Sequence, residues 1–449
     1  MSYTSLTGGE RADMLSAIGI SSVDQLFTDV PERHRYPPIN LPPPKSELEV
    51  MRDLRALSEM NAELEHCVSF LGAGAYQHAI PSVVNHVLLR SEFYTAYTPY
   101  QPEVSQGTLQ AIFEYQSMIC ALTGMEVANA SHYDGATALA EGVLMAYQVL
   151  RGKRRKAVLS PAIHPEYLEV VRTYIQGMDI DLVSGQGMGT GAQALQEQID
   201  DDTFCVVVQN PNLYGELESV RALQALADAA HVKKALLIVV SYPIALAMIQ
   251  PPGAYGADIV LGEAQPLGNA LNFGGPYLGY FACREEHVRK MAGRLVGQTV
   301  DVDGKRGFVL TLSTREQHIK RERATSNICT NQSLCALASA VYMSAMGSQG
   351  LRQVAKQCYH KAHYLAGEID KLDGFRLLTE KPFFNEFVVG CPKPVQEINA
   401  TLLSQNIIGG LDLGRFYEGM ENRMLLCATE IHTREMLDAF VRALEEAGV

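Results

Sequence analysis

The sequence predicts an α/β protein: a doubly wound, mostly parallel sheet in a large domain, followed by a smaller α+β domain. Six short apolar runs, at residues 157–159, 180–183, 204–208, 236–240, 259–261 and 278–282, alternate with helical segments at 165–176, 191–198 and 219–230. The runs are apolar throughout rather than alternating, which marks strands covered on both faces, as in a parallel sheet. After residue 325 come two long helical stretches and a closing β-α-β-α pattern (386–389, 395–405, 424–427, 434–447), a compact layer of its own.

The elements follow in chain order. Ser22 precedes a short helical segment near 23–27, and Pro31, Pro37, Pro38 and Pro42 to Pro44 then bar helix interiors and central strands. Residues 1–45 therefore read as an N-terminal arm. Leu48, Met51, Leu54, Leu57, Met60 and Leu64 recur at helical spacing, and the large domain, 46–325, starts there. Residues 70–104, dense in Gly, Pro and Tyr, read as loop. Ser105 stands as the N-cap of a helix reaching about residue 122, with Gly124 closing it, and Asp134 caps a helix from 135 to about 150. Helices are expected at 331–347 and 350–372 within a small domain spanning 326–449.

Composition excludes several classes. The chain has 449 residues, 47% of them hydrophobic and 19% charged, enough apolar matter for a large core and too much for disorder. No apolar stretch approaches the ~20 residues of a membrane span, and the first residues lack the basic and apolar regions of a signal peptide. With 37 Lys+Arg against 50 Asp+Glu the formal charge is -13, which disfavours sequence-independent nucleic-acid binding. The basic run 153–156 reads as a solvated helix end. Nine cysteines, with no Cys-x-x-Cys pair, suit reduced thiols and a cytoplasmic location.

Several motifs carry little by themselves. Gly72-x-Gly74 lacks the third glycine of a dinucleotide turn, and the glycine-dense run 185–191 lacks a Lys-Ser/Thr ending. Cys358, His360 and His363 lie close in sequence, but no second ligand pair accompanies them, so no metal is expected. Two stretches stand out. One is Phe93-Tyr94-Thr95-Ala96-Tyr97-Thr98-Pro99-Tyr100-Gln101-Pro102-Glu103, a proline-stiffened aromatic loop that suits a packing contact, a subunit contact or a ligand wall. The other is the glycine-rich 262–279, leaving the C-terminal end of a parallel strand, where open α/β sheets place ligands. Tight turns explain it equally well.

Three stretches together carry a resemblance: the aromatic loop; Ala128-Asn129-Ala130-Ser131-His132-Tyr133-Asp134-Gly135-Ala136-Thr137-Ala138; and Thr314-Arg315-Glu316-Gln317-His318 running on to Ala324-Thr325-Ser326-Asn327-Ile328-Cys329-Thr330. Over nearly the whole chain this resembles the glycine cleavage system P-protein family, in its N-terminal-half subunit (subunit 1) of the two-subunit glycine decarboxylase. The resemblance implies the fold type I architecture of pyridoxal-phosphate (PLP) enzymes. It also implies a heterotetrameric, α2β2 glycine dehydrogenase (aminomethyl-transferring, decarboxylating) that releases CO2 from glycine and passes the aminomethyl group to the lipoyl arm of the H-protein.

A PLP enzyme needs a lysine for the coenzyme, a carboxylate for its ring nitrogen and a helix N-terminus for its phosphate. Where the resemblance places the lysine, this chain has Gln265 and Pro266, and no lysine occurs between Lys234 and Lys290. At the carboxylate position stands Ser241, and Asp134 precedes the helix that would take the phosphate. The expectation is a subunit with no catalytic residue of its own, whose partner subunit binds PLP covalently. Thr95, Tyr97, Tyr100 and Gln101 are then expected to reach across the interface to the partner's PLP and glycine, with His132 and His318 as the titratable candidates. Two alternatives remain: a self-sufficient aminotransferase-like PLP enzyme using Lys290 or Lys305, and a cofactor-free scaffold subunit.

Overall fold

The computed structural model describes residues 5–184, 191–328 and 330–448 and divides into two compact units, Met1–Glu63 and Leu64–Val449. The glycine-dense run 185–190 and Cys329 lie outside the described residues.

The first unit holds two α-helices, Gly8–Ile18 and Glu47–Ser58, each opened by a capping box in which Thr7 or Ser46 exchanges hydrogen bonds with the glutamate three residues on. The helix Gly8–Ile18 has no counterpart in the sequence reading. Neither helix contains a buried residue. Leu48, Met51, Leu54 and Leu57 do share a stripe, yet all four are exposed. The helix Glu47–Ser58 thus groups with the arm, beyond the boundary drawn at residue 45.

The second unit is organised around a seven-stranded sheet: β1 (Val127–Ala128), β2 (Lys156–Leu159), β3 (Asp181–Ser184), β4 (Thr203–Gln209), β5 (Leu236–Val240), β6 (Ile259–Glu263) and β7 (Gly279–Cys283). Their spatial order is β1-β7-β6-β5-β4-β2-β3. Strands β2 to β6 pair in parallel, whereas β7 runs antiparallel to both β6 and β1. The glycine-rich connection from β6 to β7 (264–278) holds only the 3-10 turn Asn272–Gly274 in place of a crossover helix, and the chain folds back so that Glu263 pairs with Gly279. All six strands read from the sequence are present.

Continuous apolarity has the expected cause. Val206, Val208, Leu237 and Val239 pack on one face among residues of the helices Gln106–Thr123, Val220–Val232 and Ser333–Ile369. Cys205, Val207, Leu236 and Ile238 pack on the other, against Gly135–Val149 and Pro165–Ile175. Asp134 caps its helix by accepting from Thr137 N at 2.7 Å. Ser105 precedes its helix without a side-chain capping bond, because its backbone is already turned away from the extended geometry that capping uses. Within Ser333–Ile369 the backbone breaks at Gly347 (φ 59°, ψ 178°), where the sequence divides the stretch in two.

A hairpin, β8 (Leu295–Val300) and β9 (Arg306–Thr311), follows the main sheet. The C-terminal layer is a four-stranded antiparallel sheet of β10 (Arg376–Leu377), β11 (Glu386–Gly390), β12 (Leu411–Asp412) and β13 (Arg423–Cys427), ordered β10-β11-β13-β12. It shares a core with the helices Val395–Ser404 and Arg434–Gly448 and with Phe70, whose ring stacks on Phe440 at 3.9 Å. Val68–Ser69 also pairs in parallel with Ile407–Ile408, so a segment far upstream of residue 326 joins this layer. The eight cysteines among the described residues are all free. No helix among them is long and apolar enough to cross a membrane.

Candidate functional site

The crevice at the carboxyl ends of β4, β5 and β6, bordered by the loop 72–78 and by β11, is where an open α/β sheet holds its ligand. Here it contains side chains. The remaining cavity is about 40 Å³ and is lined by Tyr76, His164, Tyr167, Ser241, Tyr242, Glu263 and Glu386, among others. Ligand pockets offer roughly 300–1,000 Å³.

At the three positions where the resemblance places the groups of a PLP site, other residues stand and make other contacts. Gln265 holds the loop: its Oε1 accepts from Tyr76 N at 2.9 Å, and its Nε2 donates to Tyr76 O at 2.9 Å and Asn269 O at 2.7 Å. Ser241 Oγ donates to Asn210 O at 2.9 Å. At the N-terminus of the helix Gly135–Val149, Glu263 Oε2 accepts from Gly135 N at 3.0 Å, while Glu263 Oε1 accepts from Gln265 N at 2.9 Å and Leu278 N at 3.0 Å. The Tyr167 hydroxyl closes the same spot, lying only 2.4 Å from where a Cβ on residue 135 would stand. Two carboxylates and a phenol therefore take the position and the amide donors that a phosphate would use. These residues do not fit PLP.

A buried polar chain fills the rest. Tyr76 Oη donates to Glu386 Oε2 at 2.8 Å, and Glu386 Oε1 accepts from Ala73 N at 2.7 Å inside the Gly72-x-Gly74 turn. The left-handed backbone at Gly72 and Gly74 lets that turn close on the carboxylate, which gives the motif a structural use. The Tyr76 ring lies on Tyr242, and His78 joins Tyr242 Oη (2.5 Å from Nε2) to Glu430 Oε2 (2.6 Å from Nδ1). Burial pushes Glu263 up to about 8 and Glu386 up to about 7.

The three side chains read as a metal possibility do not converge. Cys358 is buried, His360 is exposed, and His363 stacks on Phe383 at 3.8 Å. Among the described residues, Cys358 instead meets His78 and Glu430, with ligating atoms within 4.8 Å of one another. That trio is engaged internally, with Cys358 Sγ donating to Glu430 Oε2 at 3.5 Å and Ala79 N to Oε1 at 2.7 Å. Sequence reasoning had no access to the trio, because His78 lies hundreds of residues from Cys358 and Glu430.

The aromatic loop lies elsewhere, on the surface. Ser91–Tyr94 forms one helical turn, to which Thr95 Oγ1 donates through Ser91 O (2.7 Å). Thr95 and Gln101 are exposed, Tyr97 is 81% exposed and Tyr100 51%. Tyr100 is anchored: buried Arg294 donates to its hydroxyl at 3.2 Å, and His318 meets its ring edge-on at 5.9 Å. His318 Nδ1 also lies 3.8 Å from Glu316 Oε2. The loop and this Arg-Glu-His cluster therefore form one patch, which brings two of the three motif stretches together. His132 is different. It is fully buried against Phe281, neither ring nitrogen has a hydrogen-bond partner among the described residues, and burial pushes it down to about 3. Such a ring stays neutral. Lys305 sits exposed at the β8–β9 turn and Lys290 ends a 3-10 turn (Glu285–Lys290) after β7, so neither lines the crevice.

Likeness to known proteins identifies the family. A family model described as "Glycine cleavage system P-protein" matches residues 1–444. Proteins named "Probable glycine dehydrogenase (decarboxylating) subunit 1" from Thermomicrobium roseum (53% identity, covering 100% of both chains) and Geobacillus kaustophilus (52%, 98% of both) are similar over their whole length. An inhibitor-bound crystal structure of glycine decarboxylase (P-protein) superposes with a TM-score of 0.88 at 43% identity, covering 100% of both chains. The fold alone is shared with a glutamate decarboxylase of Lactobacillus brevis (TM-score 0.67, 15% identity, 94% and 97% of the chains), which places it in fold type I. The chain belongs to the glycine cleavage system P-protein family.

Proposed function

We propose that this chain is the subunit of a glycine dehydrogenase (decarboxylating) that does not carry PLP, and that it works in an α2β2 assembly with a PLP-bearing second subunit. The observation that carries the reading is the crevice filled by Gln265, Glu263, Tyr76 and Glu386, together with the name "subunit 1" borne by its relatives. PLP, held by the partner, supplies the electron sink for glycine decarboxylation. The aminomethyl group then goes to the lipoylated H-protein. The free thiols suit a cytoplasmic setting.

This chain's part is positional. Thr95, Tyr97, Tyr100 and Gln101 wall the partner's site, phenol tips offering hydrogen bonds to the glycine carboxylate while the rings exclude water. Arg294 fixes the hydroxyl of Tyr100, so Tyr100 presents an ordered tip and Tyr97 a freer one.

Glycine/CO2 exchange with H-protein, measured for each chain alone and for the two co-expressed, tests the reading. Activity is expected only with both chains, and borohydride should fix coenzyme to the partner alone. Exchange by this chain alone, or coenzyme fixed to it, would overturn the proposal. Within the active complex, Tyr100→Phe and Tyr97→Phe should each lower turnover about tenfold without dissociating the subunits. Unchanged kinetics would remove the loop from the site.

A further inference from the structure

Residues 324–328 of the Ala-Thr-Ser-Asn-Ile segment wall a cavity of about 510 Å³ with Tyr133, Tyr174, Leu144, Glu322 and, at its floor, Glu141. None of these residues lines the crevice or belongs to the aromatic loop.

Glu141 is the anomaly. It sits on the helix Gly135–Val149 among Leu139, Ala140, Gly142 and Val143, all buried, and is itself only 5% exposed. A carboxyl in such a place needs partners for both oxygens. Oε1 accepts from the Ser326 hydroxyl, but buried Oε2 has no partner among the described residues. Around it the lining offers a second carboxylate, Glu322, two phenol rings and the Thr325, Ser326 and Asn327 polar groups, and no lysine or arginine. The charge of these described lining residues favours a cation over an anion. The cavity is organic-sized, far larger than a bare cation fills, and aromatic faces beside a carboxylate suit an organic cation.

We propose that this cavity binds a small organic ammonium ion, whose N–H donors complete Glu141 Oε2 and whose carbon face lies on the Tyr133 and Tyr174 rings. The ionisable groups around Glu141 are Tyr133, Tyr174, Glu322 and Asp134, with Arg323 beside Glu322. Burial pushes Glu141 up to about 7, so near neutrality it is partly protonated and must ionise to pair with the cation. Binding is thereby coupled to proton release.

Methylammonium is the probe, titrated into the full-length chain by ligand-observed saturation-transfer NMR. Saturable binding is expected, weakening about tenfold between pH 8 and pH 6 as Glu141 takes up its proton. Glu141→Gln should weaken it at least tenfold and remove the pH dependence. Tyr174→Ala, at a partly exposed position that the core does not need, should weaken it several-fold and keeps the test decisive if the first variant fails to fold. Absence of saturable binding, equal affinity in either folded variant, or equal displacement by potassium chloride at the same concentration would overturn the proposal.

Discussion

Glu263→Ala is expected to lower the unfolding free energy by about 3–5 kcal/mol, read as a fall in the urea midpoint. The carboxylate accepts from three backbone amides, of Gly135, Gln265 and Leu278, which belong to a helix start and to both ends of the β6–β7 connection. Alanine leaves all three donors buried and unpaired, each costing ~1–3 kcal/mol. Glu263→Gln should cost less, about 1–2 kcal/mol, because its carbonyl keeps two of the bonds and only Gly135 N then faces an amide. The order Ala below Gln below Glu is the diagnostic. A Glu263→Ala chain as stable as the parent would mean that Glu263 does not tie these strands to the helix.

The second large effect concerns pH. Glu263 (about 8), Glu386 (about 7) and Glu141 (about 7) all hold protons more tightly in the folded chain than their ordinary 4.5. For a raised group the stabilisation is complete below the unfolded value and is lost as pH climbs through the folded one. His132, pushed down to about 3, and His164, His363 and His432, also lowered by burial, act oppositely: they favour the fold above about 6.5 and penalise it as pH falls. The two sets cross near pH 6.5. Stability should therefore peak there and drop by about 2 kcal/mol by pH 8.5, seen as a lower Tm. Glu386→Gln should flatten that alkaline limb by roughly 1 kcal/mol. Its amide can still donate to Tyr76 Oη and its carbonyl accept from Ala73 N, so it keeps the geometry and removes only the charge. A limb unchanged by Glu386→Gln would assign the decline to other groups.

What could be read in the sequence follows from what is local. Continuous apolar runs and Asp134 next to Gly135 are properties of neighbouring residues, and the strands, the cap and the helix break at Gly347 appear where they were expected. The reversal of β7 was not legible, because the glycines after β6 state that turns are possible there and not which way the chain returns. Nor was the stuffing of the crevice. The absence of lysine around Gln265 can be seen in the sequence, but two of the groups that fill the crevice come from residues 76 and 386, about three hundred positions apart. The same distance hid the His78–Cys358–Glu430 contact behind the nearer pairing with His360 and His363. The aromatic loop was visible as composition, whereas its anchoring by Arg294 needed the fold.

The two-way clasp between Gln265 and the Tyr76 backbone has a consequence for the cell. An amide side chain completes the crevice wall from within the chain, so folding of this polypeptide should not vary with the supply of vitamin B6.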